Sequence, residues 1–178
     1  MNQSATLYRI TKENFQVIEK MEPRHIKPAE LTDGNVTFSG SFMGLEFILT
    51  KGLDEDGREL IGEIFNPIHY IGPTDTNIFN LDSDEEQLWE SENAAGYLSP
   101  IKVKKIHALL SNIQESQVAE NFDADELNAN QIYPSCWHNN EDADLAFNRR
   151  QILEDFVSLQ NFFRSATESN YYVLSYLG

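Results

Sequence analysis

The chain has 178 residues, enough for one domain with a real core, and 40% of them are hydrophobic. No apolar run approaches the roughly 20 residues needed to cross a bilayer, and the opening MNQSATLYRITKEN lacks the basic-then-apolar order of a signal peptide. The net charge of −16 opposes binding to nucleic acid or to an anionic membrane, and one cysteine cannot form an internal disulfide.

Ala5 to Ile10 reads as a short strand, with Thr11 as a helix N-cap and Phe15, Ile18 and Met21 on one face of the helix that follows. Thr32-Asp33-Gly34 reads as a turn. The next segment, NVTFSGSFMGLEFILTKG, supports two readings. Phe38, Phe42, Leu45 and Leu49 fit a helical stripe, whereas Gly40, Gly44 and the β-branched residues favour a strand. Leu60, Ile61, Ile64 and Phe65 predict a short amphipathic turn or helix. Gly72 to Glu92 is acidic and polar, with Leu88 and Trp89 as expected apolar anchors.

Ser99-Pro100 is a helix start, a capping hydroxyl followed by a ring whose φ is already helical, and Val103, Ile106, Leu110 and Ile113 follow at helical spacing. Asp123-Ala124-Asp125-Glu126 resembles a capping box opening a short helix with Leu127. The longest helix is predicted over Glu141 to Glu168, from the spacing of Leu145, Ile152, Phe156, Leu159, Phe163 and Ala166. In that reading Asp142 and Asp144 stand at its positive end. Ser169-Asn170 ends it, and Tyr171 to Leu177 is rich enough in β-formers for a final strand. The expectation is one α+β domain over residues 1–178. It has a small mixed or antiparallel sheet that includes both terminal strands, packed by several helices with one long C-terminal helix.

Three stretches, YLSPIKVKKIHALLSNI, FDADELNANQIYPSCW and FVSLQNFFRSATESNYYVLSYL, resemble the C-terminal half of YfbM-like proteins, the domain of unknown function 1877. GLEFILTKG is similar to an earlier element of that family, and ATLYRITKENFQVIEK to its first strand and helix. Two departures stand out. Ser99-Pro100-Ile101-Lys102 occupies the place of the usual Thr-Pro-Glu-Glu, and Phe38 or Phe42 replaces a usual tryptophan. The resemblance implies a small cytoplasmic bacterial α+β domain and brings no reaction or catalytic residue.

Few motifs carry chemistry. Cys136-Trp137-His138 fits no standard zinc spacing, and no oxyanion-hole glycines lie near it, so a packing loop with a slowly labelled thiol is expected, without bound metal. Carboxylate pairs such as Asp82/Asp84 and Asp142/Asp144 are uninformative in so acidic a chain. Asp54-Glu55-Asp56-Gly57 lacks calcium-loop spacing, since Phe65 stands where the terminal glutamate belongs. No cofactor is expected. Between Glu59 and Asn148 the chain carries seventeen acidic residues against Lys102, Lys104 and Lys105. Such a field can simply maintain solubility, or it can match a basic protein. The second reading gives a non-catalytic, cytoplasmic binding module, concretely an immunity-type protein for a toxin. Its contact group would be Asp82, Asp84, Glu85, Glu86 and Glu90, with Trp89 as apolar anchor. The alternative is a hydrolase-like or small-ligand-binding enzyme whose site leaves no motif.

Overall fold

Ser4 to Ile10 alternates residues between two buried faces, and this strand (β1) sits beside the other end of the chain. In the computed structural model, which describes residues 3–22, 25–71 and 95–178, β1 pairs antiparallel with β5 (Tyr172–Leu177), from Ala5 opposite Leu177 to Ile10 opposite Tyr172. β2 (Asn35–Ser39), β3 (His69–Ile71) and β4 (Ala95–Leu98) complete an antiparallel sheet of order β2-β1-β5-β4-β3. With eight helices among the described residues, the fold is α+β.

The alternation assigns one partner to each face. Ala5, Leu7, Phe38, Leu98 and Val173 are buried against the main helical layer, while Ile10 and Leu174 are buried with Phe15 and Ile18 of α1 (Lys12–Ile18) on the opposite face. Phe15 stacks on Tyr172 with ring centroids 3.8 Å apart. Thr11 caps α1, its hydroxyl accepting from the Asn14 N–H at 3.1 Å. Met21 packs on the same cluster, but from the turn after α1 rather than from the helix.

The ambiguous segment contains both elements. β2 ends at Ser39, the chain turns at Gly40 with φ of +77°, and α3 runs Phe42–Leu49, so the apparent stripe from Phe38 to Leu49 straddles a strand and a helix. All four stripe residues are buried. After the short α2 (Pro28–Leu31) and α3 comes α4 (Glu55–Phe65), whose N-cap is Asp54, accepting from the Gly57 N–H at 2.9 Å. The Asp54–Gly57 acidic run is therefore a helix cap. Ser99 caps α5 (Pro100–Asn112). α6 (Glu115–Asn121) follows, and Asp123 caps α7 (Ala124–Ala129) through the N–H groups of Asp125 and Glu126. The cap is one-sided: Glu126 turns its carboxylate to Lys51.

The long helix, α8 (Arg149–Glu168), begins eight residues later than its periodicity implies. Short polar side chains in the preceding loop bond the backbone two residues on, from Asn140 to the Asp142 N–H and from Asp142 to the Asp144 N–H. These bonds compete with helix formation. Phe147 is left-handed at φ 57°, and fully buried Asn148 caps the helix through the Gln151 N–H while donating to the Asp142 and Leu145 carbonyls. Leu145, Asp142 and Asp144 thus lie outside the helix. Ile152, Phe156, Leu159, Phe163 and Ala166 are buried along its inner face as the spacing requires. Gln160 reaches across to donate to the Leu110 carbonyl at the end of α5 (2.8 Å), which also accepts from the Ile113 N–H at 3.2 Å, and so ties α8 to that helix end.

Phe156 is fully buried, so Phe156→Ala should destabilise the protein by about 3–5 kcal/mol, measured as a shift of the urea unfolding midpoint at unchanged slope.

Candidate functional site

Trp137 organises the loop between α7 and α8. Its backbone N–H donates to the Asn128 side-chain oxygen at 2.9 Å, its carbonyl accepts from the Asn128 amide at 3.0 Å, and its indole N–H donates to the Ile132 carbonyl at 2.9 Å. The ring is buried edge-to-face with Phe122 and Phe147, and its far edge lies on Gly44 of α3. A Cβ at Gly44 would stand 2.3 Å from two ring atoms, so only glycine lets helix and indole meet. The tryptophan is therefore the packing residue of the Cys-Trp-His triplet. Cys136 and His138 on either side of it are exposed. The expectation of a protected thiol is corrected: the loop buries the middle residue of three and leaves its neighbours in solvent. No group of three or more histidine, cysteine or carboxylate side chains placed to hold a metal ion occurs among the described residues.

The same loop gathers carboxylates. Asn139 binds α7 from both ends of its amide, accepting from the Ala124 N–H at 3.2 Å and donating to Asp125 at 3.4 Å. Arg149 lies over the Phe122 ring and pairs with Glu141 at 2.8 Å. These contacts tie the loop to α7 and to Phe122, and Glu141, Asp142 and Asp144 of the loop and Asp123 and Asp125 at the start of α7 are all exposed. Of the cations near these carboxylates, Arg149 is paired with Glu141, Lys51 with Glu126 of α7, and Arg150, which donates to the Ala143 carbonyl, with Glu154.

Next to the loop lies an open groove of about 480 Å³ between β2 and the first half of α8, lined among others by Thr37, Ser39, Asp144, Arg150, Glu154 and Asp155. Burial pushes the Asp155 carboxyl up to about 6; the Ser41 hydroxyl opposes this and the neighbouring Glu154 charge adds to it. Ser41 is completely buried. Although the two side chains face each other, neither Ser41 Oγ nor Asp155 Oδ2 has a partner of hydrogen-bonding geometry among the described residues. Sequence reasoning misses this pair. Asp155 is one polar position on a long helix, and only the β2–α3 turn at Gly40 brings Ser41 to it. The contact group expected from sequence, Asp82, Asp84, Glu85, Glu86, Trp89 and Glu90, lies outside the described residues, as does Leu88.

Against known proteins, residues 1–176 match the family described as Domain of unknown function (DUF1877). The chain belongs to this family. Among solved structures it is similar to YfbM from Escherichia coli, a protein of unknown function, with a TM-score of 0.64 and 16% identity over 100% of both chains. At that identity the likeness speaks for the fold. No curated protein matches the chain. The family and the fold are thus fixed without a reaction. No described helix is long and apolar enough to cross a membrane.

Two outcomes follow from this geometry. Cys136 should react with a thiol reagent in the native protein as fast as in urea, within about tenfold, because its side chain meets solvent; a far slower native rate would contradict its placement. Asp155 holds its proton more tightly folded than unfolded, so the stability it contributes is present below pH ~4 and is lost as pH rises towards 6. Asp155→Asn should therefore raise stability at pH 8 by about 2 kcal/mol and change little at pH 4, seen in urea unfolding of both proteins at the two pH values.

Proposed function

We propose that this DUF1877 member is a non-catalytic acidic module, acting as a single domain in the cytoplasm, that binds a basic protein; an immunity-type protein directed at a toxin is its concrete form. The supporting observation is the exposure of Asp123, Asp125, Glu141, Asp142 and Asp144 at the start of α7 and on the following loop, which Asn139 and Arg149 tie to α7 and Phe122. The sequence places six more acidic residues between Asp82 and Glu92. A field of one sign accelerates encounter with a cationic partner and rejects anionic ones. Asp82, Asp84, Glu85, Glu86 and Glu90 would make contact, with Trp89 anchoring the complex once formed. The enzyme alternative draws on the Asp155 carboxyl, which is available near neutral pH as an acid or a base.

The test is a pull-down at low salt with a high-salt wash, followed by association kinetics with the captured partner. Reversing Asp84, Glu85 and Glu86 to lysine, or Glu141 and Asp144 to lysine, should slow association about tenfold or more at low salt and flatten its salt dependence. The circular dichroism should not change. Trp89→Ala should mostly raise the dissociation rate. A partner that binds both charge-reversed proteins at the wild-type rate would sink the proposal.

A further inference from the structure

A second pocket, of about 490 Å³, opens on α3 and α4 and is lined by Glu46, Glu59, Gly62, Glu63, Asn66 and Ile68. Its contents are unusual for a surface hollow. Glu63 is only 9% exposed; one carboxylate oxygen accepts from Lys102 Nζ at 2.6 Å, and the other has no hydrogen-bond partner among the described residues. A buried carboxylate oxygen without a donor is costly, and a donor brought by a ligand would relieve it. Ile68 contributes the opposite character, an aliphatic wall 65% exposed to water. Gly62 lines the space between the glutamates without a side chain, and even a Cβ there would approach Glu46 Oε1 only to 3.8 Å.

We propose that this pocket receives an alkyl cation, an aliphatic chain ending in a guanidinium or ammonium group. The cationic head would sit against Glu63 and Glu46, and the methylenes would cover Ile68. Three glutamates against one lysine, itself engaged by Glu63, exclude anions and favour a positive head. The apolar wall selects a chain over a bare ion, as long cationic side chains bury their stems while the charge finds polar partners. The pocket also carries its own pH dependence. Burial pushes the Glu46 carboxyl up to about 7. The charged groups around it are Glu59 and Glu63 from α4 and, beyond Glu63, Lys102 from α5. A bound cation favours ionised Glu46, so affinity rises with pH through neutrality and a proton is released on binding. Binding in this pocket does not depend on the exposed carboxylates of α7 and its following loop, and the failure of either leaves the other intact.

Isothermal titration calorimetry with agmatine tests it, with N-acetyl-arginine amide in a second arm to separate a free amine from a protein side chain as the source of the cation. Saturable 1:1 binding is expected for at least one of the two, stronger by about tenfold at pH 8 than at pH 6. Its enthalpy should vary with the ionisation enthalpy of the buffer near pH 7, reporting the released proton. Glu46→Gln imitates the protonated carboxyl and should preserve the fold; it should weaken binding at least tenfold and abolish the pH dependence. Gly62→Leu, which fills the pocket without altering charge, should weaken binding equally, whereas Glu55→Gln at the exposed start of α4 should change nothing. Absence of saturable binding of either cation at 10 mM (about the weakest affinity such a site would need) would overturn the proposal. So would equal affinities in the Glu46→Gln, Gly62→Leu and Glu55→Gln proteins, which would reveal diffuse charge attraction.

Discussion

The pairing of β1 with β5 is the interaction on which the rest of the molecule depends. These strands come from opposite ends of the chain, yet they occupy interior positions of the sheet, with β2 beyond one and β4 beyond the other. Backbone bonds between Ser4 and Gly178 close the ladder at its end. Once the register is set, strand alternation fixes which side chains meet which helices. Leu7 and Val173 face the helical layer, and Arg9 reaches Ser165 of α8, whereas Ile10 and Leu174 face α1. Ser175 is the one polar side chain of β5 buried against that layer, and its hydroxyl donates to the Phe65 carbonyl at the end of α4. A slip of one residue would exchange the two sets, turning the residues of the helical layer towards α1 and those of α1 towards the layer. Because the contact spans nearly the whole chain, the sheet cannot form from local pieces alone.

Around that sheet, the link between core and surface is an aromatic junction. Trp137 rests on Gly44, and the ring of Phe147 lies where a Cβ at Gly40 would be, 2.8 Å away. Two glycines in the β2–α3 region thus make room for two rings of the loop that precedes α8. The loop is exposed along its acidic length, but it is held at Trp137 by the Asn128 and Ile132 hydrogen bonds and at Asn148 by a buried cap. A charged surface so anchored presents its carboxylates in a defined arrangement, which lowers the ordering cost of any contact it makes.

Elements governed by local chemistry were legible in the sequence. Thr11, Ser99 and Asp123 act as the N-caps they resemble, and both terminal strands form and pair. The failures came where a local pattern met a competing one. Leu145 extends the helical period of α8, but the Asn and Asp side chains around it capture backbone N–H groups, and Asn148 starts the helix instead. From Phe38 to Leu49 a single helical stripe was readable only because a strand and a helix happened to place buried residues in step across Gly40. The Ser41–Asp155 pair and the Glu46–Glu63 pocket had no sequence signal. Their character comes from burial and from neighbours distant in sequence, which spacing does not encode.

The carboxylates also divide by what they do for the fold. Asp54 and Asp123 cap helices, and Glu55, Asp56, Asp125 and Glu126 occupy first turns, where the positive end of the helix favours negative charge. Glu63 and Glu126 are committed to lysines. Burial keeps Glu46 and Asp155 partly protonated near neutrality, so the charge expressed at pH 7 is smaller in magnitude than the formal −16. Acidity in this chain is therefore not one property. Part of it stabilises helix ends, part is neutralised by pairing, as at Glu141, or by protons, and the remainder, including Asp144, is free to generate an external field. Only this remainder can be altered without disturbing the scaffold.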